Sequence, residues 1–176
     1  RWLLNLAYMT LGEYPAEVPA KWLIPFDTFD SEYDIKRFPD VAAPLDVNVL
    51  GLSGGAAMED FDGDGYLDII ASGWGLREQI RYLHNNRDGS FSDHTEQANL
   101  TGITGGLNLV HADYNNDGFP DLFVLRGAWL REQGKQPNSL LKNNGDGTFD
   151  DVTEEAGVLS FHPTQTAAWF DYNNDG

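Results

Sequence analysis

One spacing recurs three times in this chain. Phe38-Pro39-Asp40-Val41, Phe91-Ser92-Asp93-His94 and Phe149-Asp150-Asp151-Val152 are each followed, 22 residues after the Phe, by an Asp-rich loop. The loops are Asp60-Phe61-Asp62-Gly63-Asp64-Gly65-Tyr66-Leu67-Asp68, Asp113-Tyr114-Asn115-Asn116-Asp117-Gly118-Phe119-Pro120-Asp121 and Asp171-Tyr172-Asn173-Asn174-Asp175-Gly176. They lie 53 and 58 residues apart. The longer step reflects an insertion confined to one loop: Leu83 follows Gln79 by four residues, whereas Leu141 follows the matching Gln133 by eight. Variation of this kind marks a structural repeat.

Each unit reads as β structure. Tyr66–Ala71 and Phe119–Leu125 are short runs rich in β-branched and aromatic residues. Pro120 is tolerable at the start of a strand and costly inside a helix. Asn86-Arg87-Asp88-Gly89 and Asn144-Gly145-Asp146-Gly147 carry hairpin-turn chemistry with positive φ. A period of about 50 residues with several short strands predicts propeller blades, typically four strands each. The fold expected is all-β, a partial β-propeller over residues 38–176. Two full Asp loops and a third reaching Gly176 are too few for a closed ring of at least about four blades.

Residues 1–37 differ. Trp2, Leu3, Leu6, Ala7, Met9 and Leu11 crowd one window, predicting a short helix that ends near Gly12. A Pro-containing connector runs from Pro15 to Pro44. Leu11-Gly12-Glu13-Tyr14-Pro15 resembles the end of a tetratricopeptide-type helical repeat; a single helix packing on the first blade explains it equally well.

The repeated acids have a chemical logic. Asp60, Asp62, Asp64 and Asp68 occupy positions 1, 3, 5 and 9 of their loop, with Gly65 at position 6 permitting a sharp turn. The carbonyl of Tyr66 at position 7 can join them. Without a cation, close carboxylates repel one another and their pKa values rise. A hard divalent ion removes that conflict, and Ca²⁺ suits a flexible oxygen cage better than Mg²⁺. The second loop offers Asp113, Asn115, Asp117, the Phe119 carbonyl and Asp121; the third offers Asp171, Asn173 and Asp175. Position 12, a bidentate Glu in an EF-hand, is Ala71 or Val124 here, so position 9 must close the cage. Asp62 gives the first loop a charge where Asn115 gives the second only a dipole, which predicts tighter Ca²⁺ binding at the first.

Met58 to Ile70, followed by Leu83-His84-Asn85-Asn86-Arg87-Asp88-Gly89-Ser90-Phe91, resembles an FG-GAP/VCBS repeat, as do residues 111–124 followed by Leu141 to Phe149. The stretch at 149–158 is similar to the cartilage-acidic-protein-like group, whose members often carry an ASPIC/UnbV domain. The resemblance implies an integrin-α-like propeller, Ca²⁺ in the Asp loops, and an extracellular, periplasmic or cell-surface location. Gly54-Gly55-Ala56 only approximates the GAP signature, so integrin-type ligand binding is not carried over.

Composition narrows the function further. The net charge of −17, from 11 Lys+Arg against 28 Asp+Glu, argues against nucleic acid, whose binding requires basic residues on phosphates. The absence of Cys excludes disulfides and thiolate metal sites. No apolar run approaches a membrane span. Residue 1 is Arg, so a signal peptide upstream would not be visible. Gly51-Leu52-Ser53-Gly54-Gly55 matches the nucleophile-elbow pattern but precedes an Asp-loop hairpin rather than a helix. His84, His94, His111 and His162 form no close metal-binding pair by spacing, and His94 reads as a structural variant of Val41 and Val152. Trp74, Trp129 and the two Leu-Arg-Glu-Gln segments either line a ligand rim or cover blade edges. Asn99-Leu100-Thr101 is a glycosylation sequon. The function expected is a non-catalytic Ca²⁺-binding module that engages a protein or glycan ligand. A propeller platform for a carbohydrate-active enzyme or lyase, and a structural spacer, are the alternatives.

Overall fold

The computed structural model describes residues 1–33 and 36–173. The chain divides into two compact units, Arg1–Pro39 and Asp40–Gly176. In the first, α1 (Trp2–Leu11) ends at Gly12, whose φ of 74° lets the chain reverse while Gly12 and Glu13 donate to the carbonyls of Met9 and Tyr8. Asn5 is buried and fully used: its amide donates to the carbonyls of Arg1 and Trp22, and its oxygen accepts the N–H of Ile24.

The second unit holds two four-stranded antiparallel sheets, consistent with a partial β-propeller. One comprises β1 (Ser53–Glu59), β2 (Asp68–Gly73), β3 (Arg81–Asn85) and β4 (Phe91–Asp93), in sequence order. The other comprises β5 (Asn108–Ala112), β6 (Asp121–Leu125), β7 (Ser139–Asn143) and β8 (Phe149–Asp151), again in order. β2 and β6 begin at the position-9 acids, two residues later than the apolar runs predict. The reason is local: the Tyr66 and Phe119 N–H groups donate to the Asp64 and Asp117 side chains and so belong to the Asp loops.

The turns take the predicted positive φ, with Arg87 at 66° and Gly89 at 89° in the first blade and Gly145 at 76° and Gly147 at 80° in the second. Between blades the chain uses one device twice. Phe91 N–H donates to the Leu45 carbonyl, and Phe149 N–H to the Ala98 carbonyl, so the turn before each blade docks on that blade's outer strand. Phe38–Val41 forms no strand of its own. Residues 165–170 likewise carry no strand, since no partner strand pairs with them among the described residues.

The core lies between the two sheets. Phe61, Tyr82 and Phe149 meet edge-to-face with centroids 5.8–6.3 Å apart, and Ile70, Leu109, Leu122, Val124 and Leu141 surround them. Both blades therefore contribute to one apolar cluster, the aromatic geometry adding to simple burial. Gly54 and Gly55 lie within β1 at the seam. A Cβ on Gly55 would stand 2.4 Å from the Leu109 nitrogen, and one on Gly54 2.4 Å from the Gly106 and Ser72 carbonyl oxygens. The Ser72 hydroxyl links the same strands, accepting from Gly55 N–H and donating to the Gly106 carbonyl. This pair of glycines serves close approach between the strands. Ser53 starts a strand carrying a bulge, not a strand-to-helix turn.

Candidate metal centre

Each Asp loop folds around its own carboxylates. Asp60 accepts the N–H groups of Asp64 and Gly65 at 2.9 and 2.8 Å. Asp62 also accepts from Asp64 at 3.2 Å, and Asp64 accepts the Tyr66 N–H at 2.8 Å. Gly63 and Gly65, at φ 74° and 88°, supply the left-handed turns this winding needs. The outcome is that oxygens of Asp60, Asp62 and Asp64 lie within 4.8 Å of one another. Loop two repeats the pattern bond for bond: Asp113 accepts from Asp117 and Gly118, Asn115 from Asp117, and Asp117 from Phe119, all at 2.9–3.0 Å. Its Asn115 amide additionally donates to Asp117 at 2.9 Å.

The position-9 acids have a second task. Asp68 is fully buried and accepts the Tyr82 hydroxyl and the Asn85 N–H, both at 2.8 Å. Asp121 is equally buried and accepts the N–H groups of Asn143 at 2.8 Å and Tyr114 at 3.2 Å. Asn85 and Asn143 return the bond, their amides donating to the Leu67 and Pro120 carbonyls. These acids bolt each Asp loop to the third strand of its blade. Asp68 thus joins a second group, with Asp62 and His84, rather than the Asp60–Asp62–Asp64 group, and Asp62 is shared. In the third loop Asp171 accepts the Asn173 N–H at 3.2 Å, and Asp175 lies outside the described residues.

Two side chains at the first site escaped the sequence reading. His84 Nδ1 lies 3.2 Å from Asp62 and 3.3 Å from Asp68, buried and close enough to pair yet not aligned for a hydrogen bond. His94 stacks on its ring at 4.6 Å, which gives His94 a supporting role. Arg87 reaches back from the β3–β4 turn to Asp64, its Nε and Nη2 donating at 2.8 and 2.6 Å, and its guanidinium covers the Tyr66 ring. The signal available was positional: His84 aligns with Lys142 and Arg87 with Gly145, so both blades place their variation beside the Asp loop. Lys142 stands 3.9 Å from Asp117. Gly145 lies against the Phe119 ring, where a Cβ would meet it at 2.4 Å.

The electrostatics follow. Desolvation, and then the charges of Asp68 and Asp64, raise the Asp62 carboxyl above its ordinary range. Burial raises Asp121 as well. Burial and the Asp68 bond push the Tyr82 hydroxyl far up, so it stays a donor. Asp64 bears some desolvation, but Arg87 and the Tyr66 N–H outweigh it and hold the carboxyl low. Of the rim candidates, Trp74 is partly exposed and the Trp129 side chain lies outside what is described. Gln79 instead ties the blade connection, donating to the Leu100 carbonyl and accepting from Gly102.

Acidic clusters of this composition can hold a metal ion. The FG-GAP-like repeat family matches residues 60–124, from the first Asp of loop one into β6. No curated protein matches the chain in sequence. No described helix is long and apolar enough to cross a membrane.

Proposed function

We propose that the Asp loops bind Ca²⁺ and that the chain is a non-catalytic interaction module of an extracellular, periplasmic or cell-surface protein, engaging a protein or glycan ligand. One observation carries the reading: two loops 53 residues apart fold by the same hydrogen bonds, and in the first of them oxygens of Asp60, Asp62 and Asp64 lie within 4.8 Å of one another. The donors fit the ion. Carboxylates, amide oxygens and carbonyls are hard ligands, and the backbone bonds they accept leave lone pairs for a cation. Asp60, Asp62 and Asp64 would hold it in loop one, and Asp113, Asn115 and Asp117 in loop two, while Asp68 and Asp121 anchor each loop to its blade. The match to the FG-GAP-like repeat supports this reading and an exported location.

Calorimetry with Ca²⁺ tests it. Asp60→Ala should abolish binding at loop one while lowering metal-free stability by only about 1–2 kcal/mol, the effect of two partly exposed hydrogen bonds. Asp68→Ala should lower metal-free stability by roughly 2–4 kcal/mol, because it strands the Tyr82 hydroxyl and the Asn85 N–H in the interior. No measurable Ca²⁺ binding by the unaltered chain would end the proposal. The His84 nitrogen favours a second reading for loop one, since imidazole suits Zn²⁺ and not Ca²⁺; tighter binding of Zn²⁺, lost in His84→Gln, would establish it.

A further inference from the structure

The two Asp loops wind by the same hydrogen bonds but lie in different surroundings. In loop one Phe61 is buried and Asp60, Asp62 and Asp64 are half-buried, whereas in loop two Tyr114 is half-buried and Asp113, Asn115 and Asp117 are exposed. The second blade makes the difference, because it packs on loop one. Phe61 occupies position 2, between Asp60 and Asp62. Its ring meets Phe149 of β8 with centroids 5.8 Å apart, and its carbonyl accepts the side-chain amide of Asn143, at the end of β7, at 2.9 Å. A Cβ on Gly147, in the turn joining β7 to β8, would stand 3.3 Å from the Asp62 Cβ.

Asn143 is fully buried and fully used. One N–H of its amide goes to the Phe61 carbonyl, and the other to the Pro120 carbonyl at 3.2 Å. Its side-chain oxygen accepts the Gly145 N–H at 2.9 Å, and its own backbone N–H donates to Asp121 at 2.8 Å. One side chain therefore grips the backbone of both Asp loops, at position 2 of the first and position 8 of the second. Asn85, at the same station of the first blade, bonds the Leu67 carbonyl and the Arg87 N–H within its own blade. The bond to Phe61 is what Asn143 adds. A buried polar network with every member satisfied holds its parts rigidly.

We infer, resting on the metal reading of the Asp loops, that Asn143 is a positioning residue for Ca²⁺ at loop one and that the second blade completes this site. Site rigidity is one of the factors that set Ca²⁺ affinity in oxygen cages. Releasing the Phe61 carbonyl frees the peptide that joins Phe61 to Asp62, and with it the spacing of Asp62 from Asp60. Linkage makes the effect reciprocal: whatever the docked second blade adds to metal affinity at loop one, the metal returns as protection of the contact between the blades.

A Ca²⁺ titration of the full chain followed by NMR reads the loops separately, through the Gly65 and Gly118 N–H resonances, which are bonded to Asp60 and Asp113. Asn143→Ala should weaken binding at Gly65 at least about fivefold, although the residue belongs to the other blade. Asn85→Ala removes the corresponding bonds within one blade and should leave Gly118 unchanged. Phe149→Leu keeps the core apolar and removes no hydrogen bond of either loop, so it decides the matter if Asn143→Ala fails to fold; it should weaken Gly65 at least about twofold and leave Gly118 unchanged. Hydrogen exchange of the Asn143 side-chain amide gives a readout that a purely structural role would not move. In Asp113→Ala, where the loop of its own blade cannot fill, Ca²⁺ should still slow that exchange at least about fivefold. An unchanged Gly65 affinity in whichever of Asn143→Ala and Phe149→Leu folds, a loss at Gly118 in Asn85→Ala, or no slowing in Asp113→Ala would overturn the inference and leave Ca²⁺ binding standing. No Ca²⁺-dependent shift at either glycine would overturn the metal reading and this inference together.

Discussion

At the scale of single residues, the two Asp loops differ most where their neighbours differ. Loop one has the additional carboxylate of Asp62, and it also has Arg87 bound to Asp64. A cation entering loop one competes with that guanidinium, whereas in loop two Gly145 offers no such competitor and Lys142 approaches Asp117 only to 3.9 Å. Arg87 is 54% exposed in its side chain, so the pairing is screened. An exposed ion pair contributes little. Arg87→Gly should therefore tighten Ca²⁺ at loop one roughly two- to fivefold, read by calorimetry, with loop two unaffected. A glycine there also accepts the φ of 66° without strain, so stability should not fall.

At the scale of elements, the seam between β1 and β5 depends on the absence of side chains. Gly55→Ala would push a Cβ onto backbone atoms of Asn108 and Leu109, none of which can swing aside. Overpacking of this kind costs about 1–3 kcal/mol. Urea unfolding should show that loss, accompanied by exposure of the Phe61–Tyr82–Phe149 cluster to an aromatic quencher. Gly63→Ala makes a useful contrast. Nothing lies within 4 Å of its added Cβ, so its cost comes only from the left-handed φ of 74°. Unchanged stability in Gly55→Ala would show that the blades are not in close register at that point.

For the whole molecule, metal-free stability should fall as pH rises through the range just above 3.8, the ordinary Asp value. Asp62 and Asp121 are raised in the folded chain, so they bind protons more tightly folded than unfolded. Their contribution is present below 3.8 and is lost as pH climbs through their folded values. Growing self-repulsion toward the net charge of −17 acts in the same direction. Asp88 and Asp146 act oppositely: Ser90 and Thr148 lower them, so their support is present above 3.8 and lost only in stronger acid. Thermal melts in EDTA should thus decline over that range, and saturating Ca²⁺ should remove the decline. A decline that persists in Ca²⁺ would mean that the ion does not reach Asp62 or Asp121.

Periodicity was enough to establish the β class, the blade spacing and the Asp loops, because a repeated 22-residue step and a position-6 glycine are properties of covalent order. The hairpin turns were legible for the same reason, positive φ being written into Asn-Gly and Asp-Gly pairs. Contacts between separate strands were not. That Asp68 and Asp121 act as bolts follows from Asn85 and Asn143 arriving beside them on β3 and β7, residues 17 and 22 positions away. His84 joins Asp62 only because antiparallel pairing of β2 with β3 returns the chain to the loop. Gly54 and Gly55 gained their meaning from a neighbouring blade. Spacing along a chain specifies local geometry, while the company a charge keeps is decided by which strands the sheet brings together.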